Sequence, residues 1–510
     1  MPTAEPVHSG AAADFDAHPP RPPVARAYTP REPGEFAAGE GAVAGAGAPA
    51  IREAKESALV VLLRDHLEAF LEAAQADDPE WSLPLFVERQ LRAIIPCGDP
   101  SFGFVRLECT TCRGPRVVPF SCKGRICPSC AGRRMNEQAA HLVDRVLPHI
   151  PYRQFVLTLP GDVARVVAFD AALAGEVFGA FAAELARWQC AKARDAGIAD
   201  PQAGCVLEIQ RFADGARVWP HAHALVPEGV FSEAPDARDG PARFHRLPPP
   251  TDSDIEALVL ATEQRVNRVL CRWQASRPNE HPAGTQFLLQ CTTTAPIEQL
   301  RIQGSTPGQG RSERPRKPLC ARSPAGLELH ADVFVAAHDR PGLERLCRYM
   351  ARPPIPQDRL AWREDGMLVL SLKRTWKGGV RAIVFKPLAL IARLAALVPA
   401  PYMHLRRFYG IFGPHHKLRP RILPSPPDPA TSDTPVAPKR PKSMPWADLL
   451  MRVWRIDALR CPHCGGRMRI ICAVRDPDAI SAILAAIHAD RWTDTARGPP
   501  EATTRHDQAA

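Results

Sequence analysis

The chain has 510 residues, enough for about three domains of the usual ~150 residues each, and 45% of them are hydrophobic, so much of it can form buried cores. Lysine and arginine number 65 against 55 aspartates and glutamates, and the net charge of +10 favours a polyanionic partner such as a nucleic acid. No apolar run reaches the ~18 residues of a membrane helix, and the N-terminus lacks a signal-peptide pattern, so we expect no membrane association and a cytoplasmic location.

The first predicted element is a disordered leader, residues 1–55, which is rich in alanine, proline and glycine and has no apolar period. A helix is predicted next, because apolar residues recur there at helical spacing. It opens a helical and zinc-binding domain that we predict over residues 56–148. The apolar face of the helix comprises Leu59, Leu62, Leu63, Leu67, Phe70 and Leu71.

Two C-x-x-C pairs predict a zinc site in this domain. Four thiolates suit the tetrahedral coordination of zinc, with Zn–S distances near ~2.3 Å, and the spacing is typical of a zinc ribbon. Such a site has no open coordination position, so we expect a structural zinc. The alternative is a set of ordinary buried cysteines. Cys122 is a spare candidate ligand and Cys97 a weaker one. The predicted ligands are Cys109, Cys112, Cys127 and Cys130.

A larger domain is predicted over residues 149–420, where strand-like apolar runs alternate with longer helical patterns, as in a mixed α and β fold. Within it, VWPHAHALVPEGVF contains His221 and His223. Residues two apart in a strand point to the same face, so both imidazoles can reach one divalent ion. The alternative is a pair of hydrogen-bonded histidines without a metal, since an isolated H-x-H is common.

A neighbouring strand is predicted upstream, in CVLEIQRF. Glu208 and Gln210 share one of its faces, while Leu207 and Ile209 take the other. Either polar side chain could supply a third metal ligand from a neighbouring antiparallel strand.

An amphipathic helix is predicted in RPGLERLCRYMARPP, and Pro353 and Pro354 end it. Tyr349 falls on its polar face, with Arg345 four residues before and Arg352 three residues after. A tyrosine hydroxyl among arginines suits attack on a phosphodiester, because the cations attract the phosphate. The alternative is a surface helix on which the tyrosine covers the arginine stems. The buried stripe comprises Leu343, Leu346, Cys347 and Met350.

A basic stretch follows, in which Arg406 and Arg407 lie beside Phe408 and Tyr409. It could bind a DNA strand, and a solvated basic surface is an equal alternative. The proline-rich residues 421–445 are predicted to be a linker.

A small segment, residues 446–492, is predicted after the linker, and residues 493–510 form a tail. The segment holds Cys461 and Cys464, with His463 and Cys472 as further candidate ligands. No second C-x-x-C follows them, so we do not expect a complete zinc site there.

These motifs together resemble the rolling-circle transposases of the insertion sequence 91 group, over roughly residues 90–490. The resemblance rests on four stretches in this order: FSCKGRICPSCAGRRMNEQAAHLVDRVLPHIPYRQFVLTLP, EIQRFADGARVWPHAHALVPEGVF, LCRYMARPPIPQDRL and LRCPHCGGRMRIICAV. The group is similar to the HUH nucleases, named for their His-hydrophobe-His motif. The resemblance therefore implies an α+β fold with a central antiparallel sheet and helices, preceded by a small zinc-ribbon domain.

The resemblance also implies roles for individual residues. His221 and His223 would hold Mg²⁺ or Mn²⁺, with Gln210 preferred to Glu208 as the third ligand. Tyr349 occupies the position of the nucleophile.

Some members of the group carry two tyrosines four residues apart. Arg345 and Pro353 occupy the positions four residues before and after Tyr349 here. The chain therefore resembles the single-tyrosine branch.

The expected function is cutting and rejoining of single-stranded DNA through a 5′-phosphotyrosine, with Zn²⁺ in a structural role and Arg345, Arg352, Arg406 and Arg407 contacting DNA. The expected partners are the single-stranded ends of the element and a host helicase or replication machinery, because no nucleotide-binding loop is present. Two alternatives stay open: a non-catalytic zinc-dependent DNA-binding protein, and a nicking replication initiator.

Overall fold

The computed structural model describes residues 57–75, 82–233, 240–276, 284–301, 318–424, 445–454 and 457–494. The predicted leader, nearly all of the predicted linker and nearly all of the predicted tail lie outside these ranges. Within them, no helix combines the length and the apolar character needed to cross a membrane.

The elements alternate along the chain as a mixture of helices and strands. The helices are α1 (Ala58–Ala73), α2 (Leu85–Arg92), α3 (Pro128–Arg145), α4 (Gly161–Phe169), α5 (Ala171–Asp195), α6 (Asp252–Ser276), α7 (Thr285–Thr293), α8 (Arg340–Met350), α9 (Pro387–Leu397), α10 (Arg419–Ile422), α11 (Trp446–Trp454) and α12 (Pro477–Asp494). The strands are β1 (Phe104–Cys109), β2 (Pro115–Pro119), β3 (Tyr152–Thr158), β4 (Gly204–Ala213), β5 (Arg217–Pro227), β6 (Gly229–Ser232), β7 (Arg243–Arg246), β8 (Glu298–Arg301), β9 (Cys320–Arg322), β10 (Glu328–Val335), β11 (Leu360–Trp362), β12 (Leu368–Ser371), β13 (Val380–Phe385), β14 (Arg406–Gly410) and β15 (Met468–Val474).

The chain divides into two compact units. The described residues of the larger unit lie within 57–95 and 123–444, and those of the smaller unit within 96–122 and 445–510. The predicted C-terminal segment is therefore not a separate module. Its strand β15 pairs antiparallel with β1, from which it is separated by most of the chain.

The larger unit is built on a six-stranded sheet in the order β14-β4-β5-β3-β10-β9, and each neighbouring pair is antiparallel. A four-stranded sheet, β11-β12-β13-β8, and the hairpin β6-β7 complete its strands among the described residues. The prediction of an α+β fold with an antiparallel sheet is confirmed.

Helices cover both faces of the six-stranded sheet, because its central strands alternate between two apolar clusters. On one face, Leu207 and Ala224 pack in a cluster with Phe178 of α5 and Val266 of α6. On the other face, the strands pack against α3 and α8. This second cluster includes Val206, Leu225, Leu142, Val143, Leu346 and Met350.

The hairpin of β4 and β5 depends on a tight turn at Asp214-Gly215-Ala216. Gly215 has a φ of 76°, a left-handed conformation that glycine adopts without strain. A Cβ atom there would also lie 2.9 Å from the Trp376 ring. The turn fixes the register of the two strands that carry the polar residues of the candidate site.

Candidate active site and metal centre

Three candidate metal-binding side chains share one face of the β4–β5 pair. His221 lies directly opposite Gln210, and His223 lies directly opposite Glu208. Directly opposite residues of an antiparallel pair point to the same face, so these four side chains form one polar group. They belong to the face of the sheet on which α3 and α8 pack, since they alternate with the residues that contact α5.

The two imidazoles are held by hydrogen bonds at Nδ1. His221 Nδ1 lies 2.9 Å from the Trp219 carbonyl oxygen, which can only accept, so Nδ1 carries the proton and Nε2 keeps its lone pair. His223 Nδ1 lies 3.0 Å from Gln154 Nε2, and His223 Nε2 is buried without a hydrogen-bond partner. The ring centres are 4.9 Å apart. His221 thus has the arrangement of a metal-ligating histidine, which uses one ring nitrogen for the metal and anchors the other. His223 has the same arrangement when the Gln154 amide is turned so that its oxygen accepts from Nδ1–H.

Both histidines are neutral at physiological pH. Burial lowers the pKa of His221 to about 4, and the neighbouring Arg352 acts in the same direction. Burial also lowers the pKa of His223 well below its usual value, with further contributions from His221, Arg352 and Lys373. Neutral imidazole is the form that binds a metal ion.

Gln210 presents an oxygen to the same site. Its Nε2 donates to the carbonyl oxygens of Tyr349, at 2.9 Å, and Met350, at 2.6 Å, at the C-terminal end of α8. Its Oε1 is buried without a partner. Glu208, by contrast, accepts a hydrogen bond of 2.7 Å from Arg406 Nε. The amide oxygen of Gln210 is therefore the better placed third ligand.

Helix α8 carries Tyr349 to the histidines. The Asp339 carboxylate caps the helix by accepting from the Gly342 N–H at 2.8 Å, and the predicted apolar stripe is buried. Tyr349 is 37% exposed, and its ring centre lies 5.7 Å from that of His223, with the rings at 84°. The tyrosine that the sequence singled out therefore meets the H-x-H pair in space.

Two cations flank this tyrosine. The Arg352 guanidinium lies 4.6 Å from the centre of the Tyr349 ring, and Lys373 Nζ lies 4.1 Å from it. Partial burial, together with Arg352 and other nearby arginines, lowers the pKa of Lys373 to about 8. The site thus combines a hydroxyl with positive charge, which suits a phosphate group.

The other described tyrosines are poorly placed for chemistry. Tyr152 is fully buried, and its hydroxyl donates to the Pro148 carbonyl at 3.3 Å. Tyr409 packs against the α5 cluster, and Tyr402 is 94% exposed. Tyr28 lies outside the described residues.

The four arginines predicted to bind DNA do not form one surface. Arg352 lies at the site, and Arg406 lies on the same sheet face in its ion pair with Glu208. Arg407 points to the opposite face, where it packs against Gly175 of α5. Arg345 is exposed, and its nearest acidic partner is Asp339, at 4.0 Å.

Sequence reasoning missed Gln154 and Lys373. Gln154 lies on β3, and it contacts His223 because β3 is the other neighbour of β5. Lys373 follows β12, and its backbone N–H donates to the Asp214 carboxylate at 3.0 Å, at the tip of the β4–β5 turn. Neither residue has a fixed spacing to the H-x-H motif, so only the strand order could have identified them.

A candidate zinc centre lies in the smaller unit. The Sγ atoms of four cysteines there lie within 4.8 Å of one another. Two of the separations are 3.5 Å and 3.6 Å, close to the ~3.8 Å edge of a tetrahedron with ~2.3 Å Zn–S bonds. The four residues are Cys109, Cys112, Cys461 and Cys464.

The two halves of this centre are turns of the same kind. The Cys109 N–H donates to the Gly114 carbonyl at 3.0 Å, and the Cys461 N–H donates to the Gly466 carbonyl at 2.7 Å. Backbone N–H groups of Cys112 and Thr111 lower the pKa of Cys109 to about 6. The pKa of Cys112 is raised to about 12, with the nearby sulfur atoms of Cys464, Cys461 and Cys109 among the causes. Thiolate is the form that binds zinc, and the geometry of the four sulfur atoms fits this metal.

The prediction of one ribbon held by Cys109, Cys112, Cys127 and Cys130 is wrong in its ligand set. The first pair is completed by Cys461 and Cys464, although Cys109 and Cys464 are 355 residues apart in the chain. The pairing of β1 with β15 brings them together, and C-x-x-C spacing carries no information about it. The expectation that Cys461 and Cys464 lack a complete site is wrong for the same reason.

Cys127 and Cys130 lie in the larger unit, at the first turn of α3. The predicted spare ligands lie in the smaller unit, where the Cys122 N–H donates to Cys97 Sγ at 3.3 Å.

Comparisons with known protein families match two stretches of the chain. Residues 62–159 match a family model described as "Transposase zinc-binding domain", and residues 204–419 match one described as "Putative transposase". No curated protein and no solved structure matches the chain. The second match contains the H-x-H pair, Gln210 and Tyr349, and the first contains Cys109 and Cys112. The chain therefore matches a transposase of the insertion sequence 91 group with an N-terminal zinc-binding domain.

Proposed function

We propose that this transposase cuts and rejoins single-stranded DNA through a 5′-phosphotyrosine intermediate, in rolling-circle transposition. The convergence of His221, His223, Gln210 and Tyr349 on one sheet face carries the proposal. Two imidazoles and an amide oxygen beside a hydroxyl are the groups that metal-assisted nucleophilic attack on a phosphodiester requires.

The donor set fits Mg²⁺ or Mn²⁺. The unpartnered Nε2 of His223 and the unpartnered Oε1 of Gln210 are buried, and buried polar atoms without a partner are rare in folded proteins. A divalent ion bound by these atoms and His221 would polarise the scissile phosphate. The three side chains lie on one face of two paired strands, which supports this assignment.

The chain's own residues then perform the transfer. The Tyr349 oxygen forms a bond to phosphorus while the bond from phosphorus to the 3′ oxygen breaks. The phenol gives up its proton, and the departing 3′ oxygen gains one. The 5′-phosphotyrosine keeps the energy of the phosphodiester, so attack by a new 3′-OH rejoins DNA without a nucleotide cofactor.

Arg352 and Lys373 stabilise the charge of this reaction. Both cations lie over the Tyr349 ring, within 5 Å of its centre, at 4.6 Å and 4.1 Å. They can bind the non-bridging oxygens of the phosphate as negative charge moves onto the attacked group.

One tyrosine serves the whole reaction. The positions one helical turn away hold Arg345 and Pro353, and no other described tyrosine lies near the histidines. A mechanism in which two tyrosines alternate does not fit this site.

The contact between Tyr349 and His223 favours an enzyme over a non-catalytic DNA-binding protein, because binding alone needs no such convergence. A nicking replication initiator would use the same residues, and the match to transposase family models favours transposition. The proposed partners are single-stranded element ends in the cytoplasm, with a host helicase or replication machinery separating the strands.

The proposal is tested with single-stranded DNA that carries the element ends, in the presence of Mg²⁺. The parent protein should form a covalent adduct, and mass spectrometry should place the DNA on the peptide containing Tyr349. Tyr349→Phe removes one oxygen and keeps the ring, so the fold should persist while the adduct disappears completely.

Tyr402→Phe is the matched control, because this side chain is 94% exposed and takes part in none of the described contacts of the site. It should form the adduct at the parent rate. An adduct that persists in Tyr349→Phe, or that maps to Tyr402 or Tyr409, overturns the assignment.

A further inference from the structure

A cavity of about 320 Å³ lies beside the candidate active site, and the proposed chemistry does not use it. Gln210 and Arg352 belong both to the candidate active site and to the lining of the cavity, whereas His221, His223 and Tyr349 do not line the cavity. Its volume lies at the lower end of the ~300–1,000 Å³ typical of small-molecule sites. A group the size of one nucleotide can therefore enter it.

The walls come from four parts of the larger unit. Strand β4 supplies Glu208 and Gln210, helix α3 supplies Arg134 and Gln138, and the segment from Leu397 to Arg406 closes the far side. The end of α8 forms the border with the active site. A DNA strand whose scissile phosphate lies at Tyr349 thus has the cavity next to it.

Positive charge dominates these walls. Five arginines face one carboxylate, Glu208, which is paired with Arg406. Arg125 and Arg134 each donate to a backbone carbonyl, of Met403 and Lys123, and neither has an ion pair among the described residues. The five are Arg125, Arg134, Arg211, Arg352 and Arg406.

The cavity also offers surface on which a base can stack. Phe212, Met350 and Pro399 contribute apolar atoms to its lining. The Arg352 guanidinium lies 5.6 Å from the centre of the Phe212 ring. Unpaired bases are commonly held against aromatic rings and guanidinium planes.

The hydrogen-bonding side chains of the cavity suit guanine better than other bases. Guanine has two acceptors for an arginine, O6 and N7, and an N2 amino group that can donate to a carboxylate. Arg406 and Glu208 place such a donor and such an acceptor side by side, 2.7 Å apart, with Arg134 as a further donor. Adenine and thymine satisfy fewer of these groups.

We propose that this cavity binds the unpaired nucleotide next to the scissile phosphate and prefers guanine there. The inference rests on the proposed function for its substrate, single-stranded DNA. It adds a base-recognition pocket next to the proposed metal ligands and the nucleophile, with Gln210 at the border between them.

The test uses Tyr349→Phe protein without added Mg²⁺ or Mn²⁺, so that no cleavage occurs. Four labelled 12-residue oligonucleotides are compared by fluorescence anisotropy: oligo(dT), and oligo(dT) with one central guanine, adenine or cytosine. A strand can slide until its one distinct base reaches the cavity. We expect the guanine oligonucleotide to bind at least about fivefold more tightly than oligo(dT), the lower range for one base contact.

Variants of residues that line the cavity test whether the guanine preference arises there. Glu208→Gln and, separately, Gln138→Leu should reduce the guanine preference to less than twofold while oligo(dT) affinity stays within about threefold. Glu176→Gln, an exposed carboxylate of α5, should leave the preference unchanged. Equal binding of all four oligonucleotides by the Tyr349→Phe protein overturns the proposal. A guanine preference that survives in both cavity variants overturns it as well.

The failure of the two proposals can be distinguished. A protein that prefers guanine but never forms a covalent adduct contradicts the phosphotyrosine chemistry alone. A protein that forms the adduct at Tyr349 but binds all four oligonucleotides equally contradicts the cavity assignment alone.

Discussion

At the scale of single residues, the site illustrates what local spacing can and cannot predict. His221 and His223 share a face because strand side chains alternate, and Tyr349 lies on the polar face of α8 for an equally local reason. Gln154 anchors His223 across a strand pairing that no local pattern indicates. The groups proposed for chemistry were predictable, whereas the residue that orients one of them was not.

The first residue-scale prediction separates metal chemistry from DNA affinity. His221→Ala combined with His223→Ala should abolish nicking, because both imidazole ligands are lost. Affinity for single-stranded DNA should stay within about tenfold, since lysine and arginine contacts to phosphates supply most of it. Gel assays of nicking and anisotropy measurements of binding check the two quantities.

His415→Ala, an exposed change outside the site, is the control and should nick normally. Gln210→Ala should have a smaller effect than the double change, because water can replace an amide oxygen in the coordination sphere. Normal nicking by the double variant with Mg²⁺ would mean that the metal is bound elsewhere.

At the scale of elements, helices and strands follow from periodicity, but their partners do not. The amphipathic pattern of α8 reflects burial of one side of the helix. The alternation in β4 and β5 instead separates the residues that pack against α5 from those on the face of the candidate site, and both faces are covered. In the sheet order β14-β4-β5-β3, strand β14 lies beside β4 although it comes much later in the chain. That order depends on packing between distant segments, whereas Arg406 and Arg407 lie on opposite faces of the sheet because consecutive side chains alternate along β14.

The element-scale prediction concerns Asp254, which joins α5 to the start of α6. Its carboxylate accepts from Lys192 Nζ at 2.9 Å, from Trp188 Nε1 at 3.1 Å and from the Thr251 N–H at 2.8 Å. Partial burial alone would raise the pKa of Asp254, but these donors together lower it to about 2. Asp254→Asn should therefore lower the free energy of unfolding at pH 7 by about 1–2 kcal/mol.

The sign of the pH dependence follows from the lowered pKa. The stabilisation is fully present above the unfolded value of 3.8 and is lost as the pH falls towards about 2. Thermal melts should show a constant difference between parent and Asp254→Asn from pH 5 to 8, and a narrowing difference below pH 4. Glu176→Gln should change the melts little, and a difference that grows in acid would contradict the assigned charge.

At the scale of the whole molecule, the smaller unit is assembled from segments near the two ends of the described chain. Strands β1 and β2 come from residues 96–122, and β15 from residues 445–510. Half of the cysteines in its metal centre lie beyond the stretch that matches the zinc-binding family model, which ends at residue 159. We therefore expect the C-terminal C-x-x-C to be part of the zinc-binding architecture, and removing it should damage a domain that begins some 350 residues earlier.

The last prediction tests this long-range assembly. Cys461→Ser combined with Cys464→Ser should release one zinc per chain relative to the parent, as measured by elemental analysis of the purified protein. Zinc binding supplies about 10–16 kcal/mol in small zinc-folded peptides, so the strands β1 and β2 should lose protection and residues 96–122 should become sensitive to limited proteolysis. Cys472→Ser is the matched control, because this cysteine is exposed on β15 and lies outside the cluster, so its zinc content and proteolysis pattern should equal those of the parent. A double variant that keeps its full zinc content and its protection at residues 96–122 would show that Cys109 and Cys112 bind zinc without the C-terminal pair.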